Sequence, residues 1–123
     1  MNPTRSENLK VETLDGVLGS KVLKFTGPLT LQTLFDFQQA TRKETLKPIV
    51  VDIGGVPYMD SAGLGSLISA YAHCQRTSRG FAITGVTERI RTLFEVTNVD
   101  GLLPCFNTVD LAEAAVVKSQ GLS

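Results

Sequence analysis

Apolar and polar residues alternate twice near the start of the chain, over residues 9–14 and again over residues 19–25, where Val22 and Phe25 mark the apolar phase. A period of two is the mark of a half-buried strand. Asp15-Gly16 between the runs supplies turn chemistry, so the pair predicts a β-hairpin. Gly27-Pro28 then breaks the second strand.

From Thr30 the period lengthens. Thr30 is a candidate N-cap for a helix over residues 31–43, with Leu31, Leu34, Phe35 and Gln38 at helical spacing. Pro48 introduces Ile49-Val50-Val51-Asp52-Ile53, a β-branched run suited to a strand covered on both faces, and Gly54-Gly55 end it. A second helix is expected from a cap at Asp60 or Ser61, with Leu64, Leu67, Ile68, Tyr71 and Gln75 on one stripe. Arg76 and Arg79 fall near its carboxyl end, where cations complement the helix dipole, and Gly80 follows. Residues 81–84 read as a short apolar strand. Thr87 caps a third helix carrying Ile90, Leu93, Phe94 and Thr97. A last strand near residues 106–108 and a helix over residues 110–118 complete the pattern.

The order β-β-α-β-α-β-α-β-α predicts an α/β fold. About five strands form a mixed, largely parallel sheet with right-handed crossovers, flanked by about four helices. The opening hairpin provides an antiparallel edge.

Composition narrows the class. The 123 residues fit a single domain, and 42% apolar with 20% charged residues is the balance of a soluble globular protein. Residues 1–8 are polar and mixed in charge, expected as a flexible tail and not as a signal or transit peptide. The apolar runs are too short to cross a bilayer, so no membrane insertion is expected. Lys and Arg are scattered and the formal net charge is zero, which supplies no phosphate-neutralising surface. Without Trp, and with 7% aromatics, there is no stacking platform either. Nucleic acid is excluded as a partner on these grounds. Cys74 and Cys105 are too few for a disulfide framework or a zinc site and read as ordinary small buried residues in a reducing cytosol.

Functional crevices of open α/β sheets lie at the carboxyl ends of the strands. The central strand ends at Ile53, which directs attention to the loop over residues 54–60 and the helix start beyond it. Enzymatic readings fail there. Gly63-Leu64-Gly65 lacks the third glycine of a dinucleotide fingerprint, with Ile68 in its place, and there is no phosphate-loop lysine. A serine hydrolase elbow wants glycine where Met59 stands. The sole histidine, His73, lies on the same helix as Ser61, roughly 18 Å along its axis at about 1.5 Å per residue. That is beyond hydrogen-bond reach, so a self-contained triad is excluded. His73 reads as a solvated helix residue and Asp52 as a partner for loop amides. No catalytic residue, metal or cofactor is expected.

Ser61 is the functional candidate. Serine is a favoured N-cap, worth about 1 kcal/mol, but Asp60 beside it caps equally well. Gly63 and Gly65 cost up to about 1 kcal/mol each against alanine in a helix. Such a cost points to close approach by another backbone, either from within the fold or from a partner.

The stretch from Val50 through Asp60-Ser61-Ala62-Gly63-Leu64-Gly65 resembles the signature of STAS domains, the sulfate-transporter and anti-sigma-factor-antagonist family. Phe25-Thr26-Gly27-Pro28-Leu29, Ile83-Thr84-Gly85-Val86 and Arg89-Ile90-Arg91-Thr92-Leu93-Phe94 extend the resemblance over nearly the whole chain. It implies a cytoplasmic anti-sigma factor antagonist that is not an enzyme. Unphosphorylated, such a protein binds an anti-sigma factor that is also a serine kinase; phosphorylation at Ser61 releases it, and a PP2C-type phosphatase restores the binding form. The implied partner surface comprises Thr30, Tyr58, Met59, Asp60, Ala62, Gly63, Leu64 and Gly65. Many switch members carry an acidic residue, implied in kinase recognition, where this chain has Thr30. Two further readings stand beside this one: a constitutive STAS interaction subunit of a scaffold or lipid-transport complex, and a weak nucleotide-binding STAS domain.

Overall fold

A computed structural model describes residues 8–43 and 47–121, with side chains through residue 118. Along the chain run β1 (Lys10–Asp15), β2 (Lys21–Thr26), α1 (Leu34–Lys43), β3 (Ile49–Gly55) and α2 (Ser61–Arg76). They are followed by β4 (Phe81–Thr84), α3 (Glu88–Val96), β5 (Cys105–Phe106) and α4 (Val109–Gly121). The strands form one five-stranded sheet in sequence order. β1 pairs antiparallel with β2, and every later pairing is parallel. The hairpin edge, the parallel sheet and the alternating helices are thus all present. Of the expected tail only Asn8 belongs to the described residues.

The β-branched run does what its composition demands. Val50 pairs with Val22 and Ala82, Val51 with Leu23 and Ile83, and all of them are buried. On one face, Leu23, Phe25, Val51 and Ile83 pack in a cluster with Phe37 of α1, Leu67 of α2 and Phe94 of α3. On the other, among the described buried residues, Val22, Val50 and Ala82 cluster with Ala112 and Val116 of α4. Burying such a side chain is worth about 1.5–3 kcal/mol, so the three-helix face carries most of the hydrophobic stabilisation.

Several local expectations are corrected. α1 begins at Leu34, and Thr30 does not cap it. The Thr33 hydroxyl accepts from the Thr30 N–H (2.9 Å) and donates to the Pro28 carbonyl (2.8 Å), holding residues 30–33 as a turn. That turn sets the helix's phase: Phe37 and Thr41 point inward, while Leu31 and Phe35 are 67% and 64% exposed. In α2, Cys74 takes the buried place expected of Gln75, which is exposed. Thr97 is the exposed C-cap of α3. β5 lies at residues 105–106, overlapping the expected segment at Phe106, and α4 starts at Val109.

Cys74 is buried as expected, but Cys105 is only half-buried; burial pushes both thiols up from their ordinary value. Arg79 does not sit in the last turn of α2 as expected. It lies beyond α2, buried, with Nε donating to the Lys47 carbonyl (2.6 Å) and Nη1 to the Thr41 carbonyl (3.2 Å), which ties the end of α1 to the approach of β3.

Glu113 of α4 holds the hairpin turn, a role that no sequence pattern announces. The residue is 2% exposed, and its Oε2 accepts from the Ser20 hydroxyl (2.8 Å), the Leu18 N–H (2.8 Å) and the Ser20 N–H (3.3 Å). Burial raises the carboxyl's proton affinity, but those donors, with the Val17 N–H, outweigh it and hold the group below its ordinary value. A β-carbon at Gly16 would collide with this carboxylate.

Candidate functional site

At the carboxyl ends of β2 and β3 two loops are stitched together. The Leu29 N–H donates to the Tyr58 carbonyl (3.2 Å) and the Asp60 N–H to the Leu29 carbonyl (3.3 Å), making a parallel bridge between Leu29 and Met59. Asp52 accepts from the Gly54 N–H at 2.9 Å, an amide at the end of β3 and not of the loop beyond it.

Asp60 settles the question of the cap. Its backbone is extended, its Oδ1 accepts from the Gly63 N–H (2.8 Å), and its Oδ2 accepts from the Leu31 N–H (3.1 Å). One carboxylate therefore closes the start of α2 and holds the β2–α1 loop against it. The Gly63 N–H lowers the carboxyl's pKa most; slight desolvation opposes it, and the Leu31 and Ala62 N–H groups add to the lowering.

With Asp60 as cap, Ser61 is the first residue of α2, exposed, and among the described residues its hydroxyl makes no hydrogen bond. The two glycines beyond it differ. A β-carbon at Gly63 would strike the Leu29 carbonyl, so the close approach there comes from within the fold. At Gly65 nothing lies within 4 Å and the position is exposed.

The sequence-predicted surface residues divide accordingly. Tyr58, Asp60, Ser61 and Gly65 are exposed and Ala62 is half-buried. Met59, Gly63 and Leu64 are buried. Thr30 is 7% exposed, with its hydroxyl bonded to Gln32 Oε1 (3.1 Å). Three residues at this site escape the sequence reading. Leu31, whose N–H donates to Asp60, lies in the turn before α1, and Phe35 lies in the first turn of α1; both are exposed. The Arg89 guanidinium of α3 lies 5.9 Å from the centre of the Tyr58 ring, within cation–π range. The i, i+4 spacing of Leu31 and Phe35 is visible in the sequence, where it reads as core. His73, expected in solvent, is half-buried on α2.

Among the described residues no group of three or more His, Cys, Asp or Glu side chains is placed to hold a metal ion. No described helix is long and apolar enough to cross a membrane.

A mixed sheet in sequence order, with an exposed serine opening the helix after its central strand, defines the class of this α/β domain. The chain belongs to the STAS domain family, whose profile matches residues 8–112. It is 30% identical over 99 residues to an anti-sigma-B factor antagonist of Staphylococcus epidermidis, covering 78% of this chain and 91% of that protein. An anti-sigma factor antagonist from Mycobacterium paratuberculosis superposes with a TM-score of 0.77 at 24% identity, covering 88% of this chain and 93% of that one. A sulfate transporter family protein from Wolinella succinogenes gives 0.70 at 16% identity, over 89% and 93%. The two structural likenesses show the fold.

Proposed function

We propose that this chain is a cytoplasmic anti-sigma factor antagonist, working as one non-enzymatic domain and switched by phosphorylation of Ser61. In its unphosphorylated form it binds an anti-sigma factor that is also a serine kinase. That kinase modifies Ser61, the complex parts, and a PP2C-type phosphatase restores the binding form. The observation carrying this reading is the exposed Ser61 hydroxyl, unbonded among the described residues, at the start of a helix already capped by Asp60. A kinase reaches it without disturbing the cap. The family membership and the S. epidermidis relative support the choice of partner.

The physics suits a switch. A phosphate at Ser61 adds about 1.5–2 negative charges. The helix dipole favours an anion there by roughly 0.3–1 kcal/mol, and repulsion from the neighbouring Asp60 offsets part of that. The fold therefore survives modification. A partner packed over Ala62 and Gly65, flanked by Leu31, Phe35 and Tyr58, must instead bury an unpaired charge, at about 2–5 kcal/mol. Affinity falls by roughly one to three orders of magnitude. Thr30, Met59, Gly63 and Leu64 shape this surface from beneath.

A second reading, a constitutive STAS subunit, is favoured by Thr30, which puts a buried hydroxyl where many switch members carry an acid. Incubation with the cognate kinase and ATP, followed by mass-spectrometric mapping, decides between them. Phosphate on Ser61 is expected, with Ser61→Ala binding permanently and Ser61→Asp binding weakly. A complex indifferent to all three changes sinks the switch and leaves the constitutive subunit.

A further inference from the structure

β1 is an edge strand, and all six of its residues are exposed. Its pairing with β2 runs without a register shift from Lys10–Thr26 to Asp15–Lys21, and neither proline nor a bulge blunts its outer side. An edge of this kind offers unpaired N–H and C=O groups to another strand. We propose that it pairs with β1 of a second copy of this chain, antiparallel, about a two-fold axis passing beside Val11.

The occupant and register follow from parity and charge. In a two-fold antiparallel pair each side chain stands directly opposite a residue of the same sheet face. The faces of β1 are known from β2: Val11 and Thr13 lie opposite Phe25 and Leu23 on the three-helix side. Lys10, Glu12 and Leu14 share the α4 side, where Leu14 faces Val22. Centring the pair on Val11 sets Val11 against its own copy, Thr13 against Leu9, and Lys10 against Glu12 twice over. The overlap then runs from Asn8 to Leu14 in each copy.

The neighbouring registers are worse. Centring on Glu12 opposes two carboxylates, and centring on Thr13 sets Val11 against Asp15 and Glu12 against Leu14. Like charges directly opposite are destabilising, so Lys10 and Glu12 select one register as well as shielding the edge from other strands. On the three-helix side Val11 and Thr13 also line a groove with Ala40 and Lys43 of α1, into which the second copy's Val11 and Leu9 backbone bring new cover. One strand pair buries less than the roughly 1,200 Å² of a stable interface, so the dimer is concentration-dependent.

Sedimentation velocity on the intact chain over a wide concentration range tests this, with circular dichroism confirming that each variant is folded. A reversible dimer is expected. Glu12→Lys sets one lysine against another in both of these cross-strand pairs and should weaken the dimer by about tenfold or more. The double exchange Lys10→Glu with Glu12→Lys should restore it, because the opposition is merely reversed. A chain monomeric at every concentration overturns the proposal and leaves the edge to a segment of some other protein. A dimer indifferent to these exchanges overturns it equally, placing the contact elsewhere.

Discussion

The carbonyl oxygen of Leu29 occupies the space that a β-carbon on residue 63 would need. Since the same loop is bonded to Tyr58 and Asp60, it has no easy retreat. Gly63→Ala should therefore destabilise the fold by about 1–3 kcal/mol despite its better helix propensity. Gly65→Ala, in open space, should be neutral or stabilising by up to about 1 kcal/mol. Urea midpoints of the two variants measure the contrast; equal shifts would contradict the packing.

Asp60→Ala should lower stability by about 1 kcal/mol, the usual worth of a cap. Ser61→Ala should change it by less than about 0.5 kcal/mol, as expected for a surface residue without a bond. Were Ser61→Ala the costlier change, the serine and not the aspartate would be closing the helix.

Glu113→Gln should cost about 1–3 kcal/mol near neutral pH, because a charged acceptor is lost to buried donors. The Glu113 carboxyl is held below its ordinary value in the folded protein. Its contribution is therefore full above the unfolded value of about 4.3 and is lost as pH falls through the lower, folded value. Denaturant melts of both proteins from pH 7 to pH 3 should converge at the acid end. A gap that stays constant with pH would show that the carboxylate's charge is not what matters.

Leu31→Ala and Phe35→Ala should each weaken binding to the anti-sigma partner by about tenfold while leaving the melting midpoint nearly unchanged. Truncating an apolar side chain that a partner covers costs about 1 kcal/mol or more where it is a hot spot, and neither side chain belongs to the core. Calorimetric titration and a thermal melt give the two readings; loss of stability with unaltered affinity would remove the pair from the docking surface.

How far the amino acids disclose this arrangement varies with the range of the forces involved. β3 is legible because a β-branched run bounded by Pro48 and two glycines has few other homes, and the stripe of α2 follows its period. α1 is legible in outline but not in rotation. Its phase depends on the Thr33 hydroxyl reaching the Pro28 carbonyl, a bond no periodicity records. That rotation turns Leu31 and Phe35 outward, beside the exposed Tyr58, Asp60 and Ser61, where the sequence pattern reads them as core. Ser61 is legible as a candidate, but its freedom is not, since both it and Asp60 are competent caps. Glu113 gives no local sign at all: its donors lie more than ninety residues away.

The uneven roofing of the sheet bears on how the molecule comes into being. A single helix shelters Val22, Val50 and Ala82 and also grips the turn between the first two strands. Until that helix docks, the strands keep one apolar side bare, and the hairpin turn waits on a residue more than ninety positions further along. One docking event therefore both covers this face of the sheet and fixes the turn of its antiparallel edge.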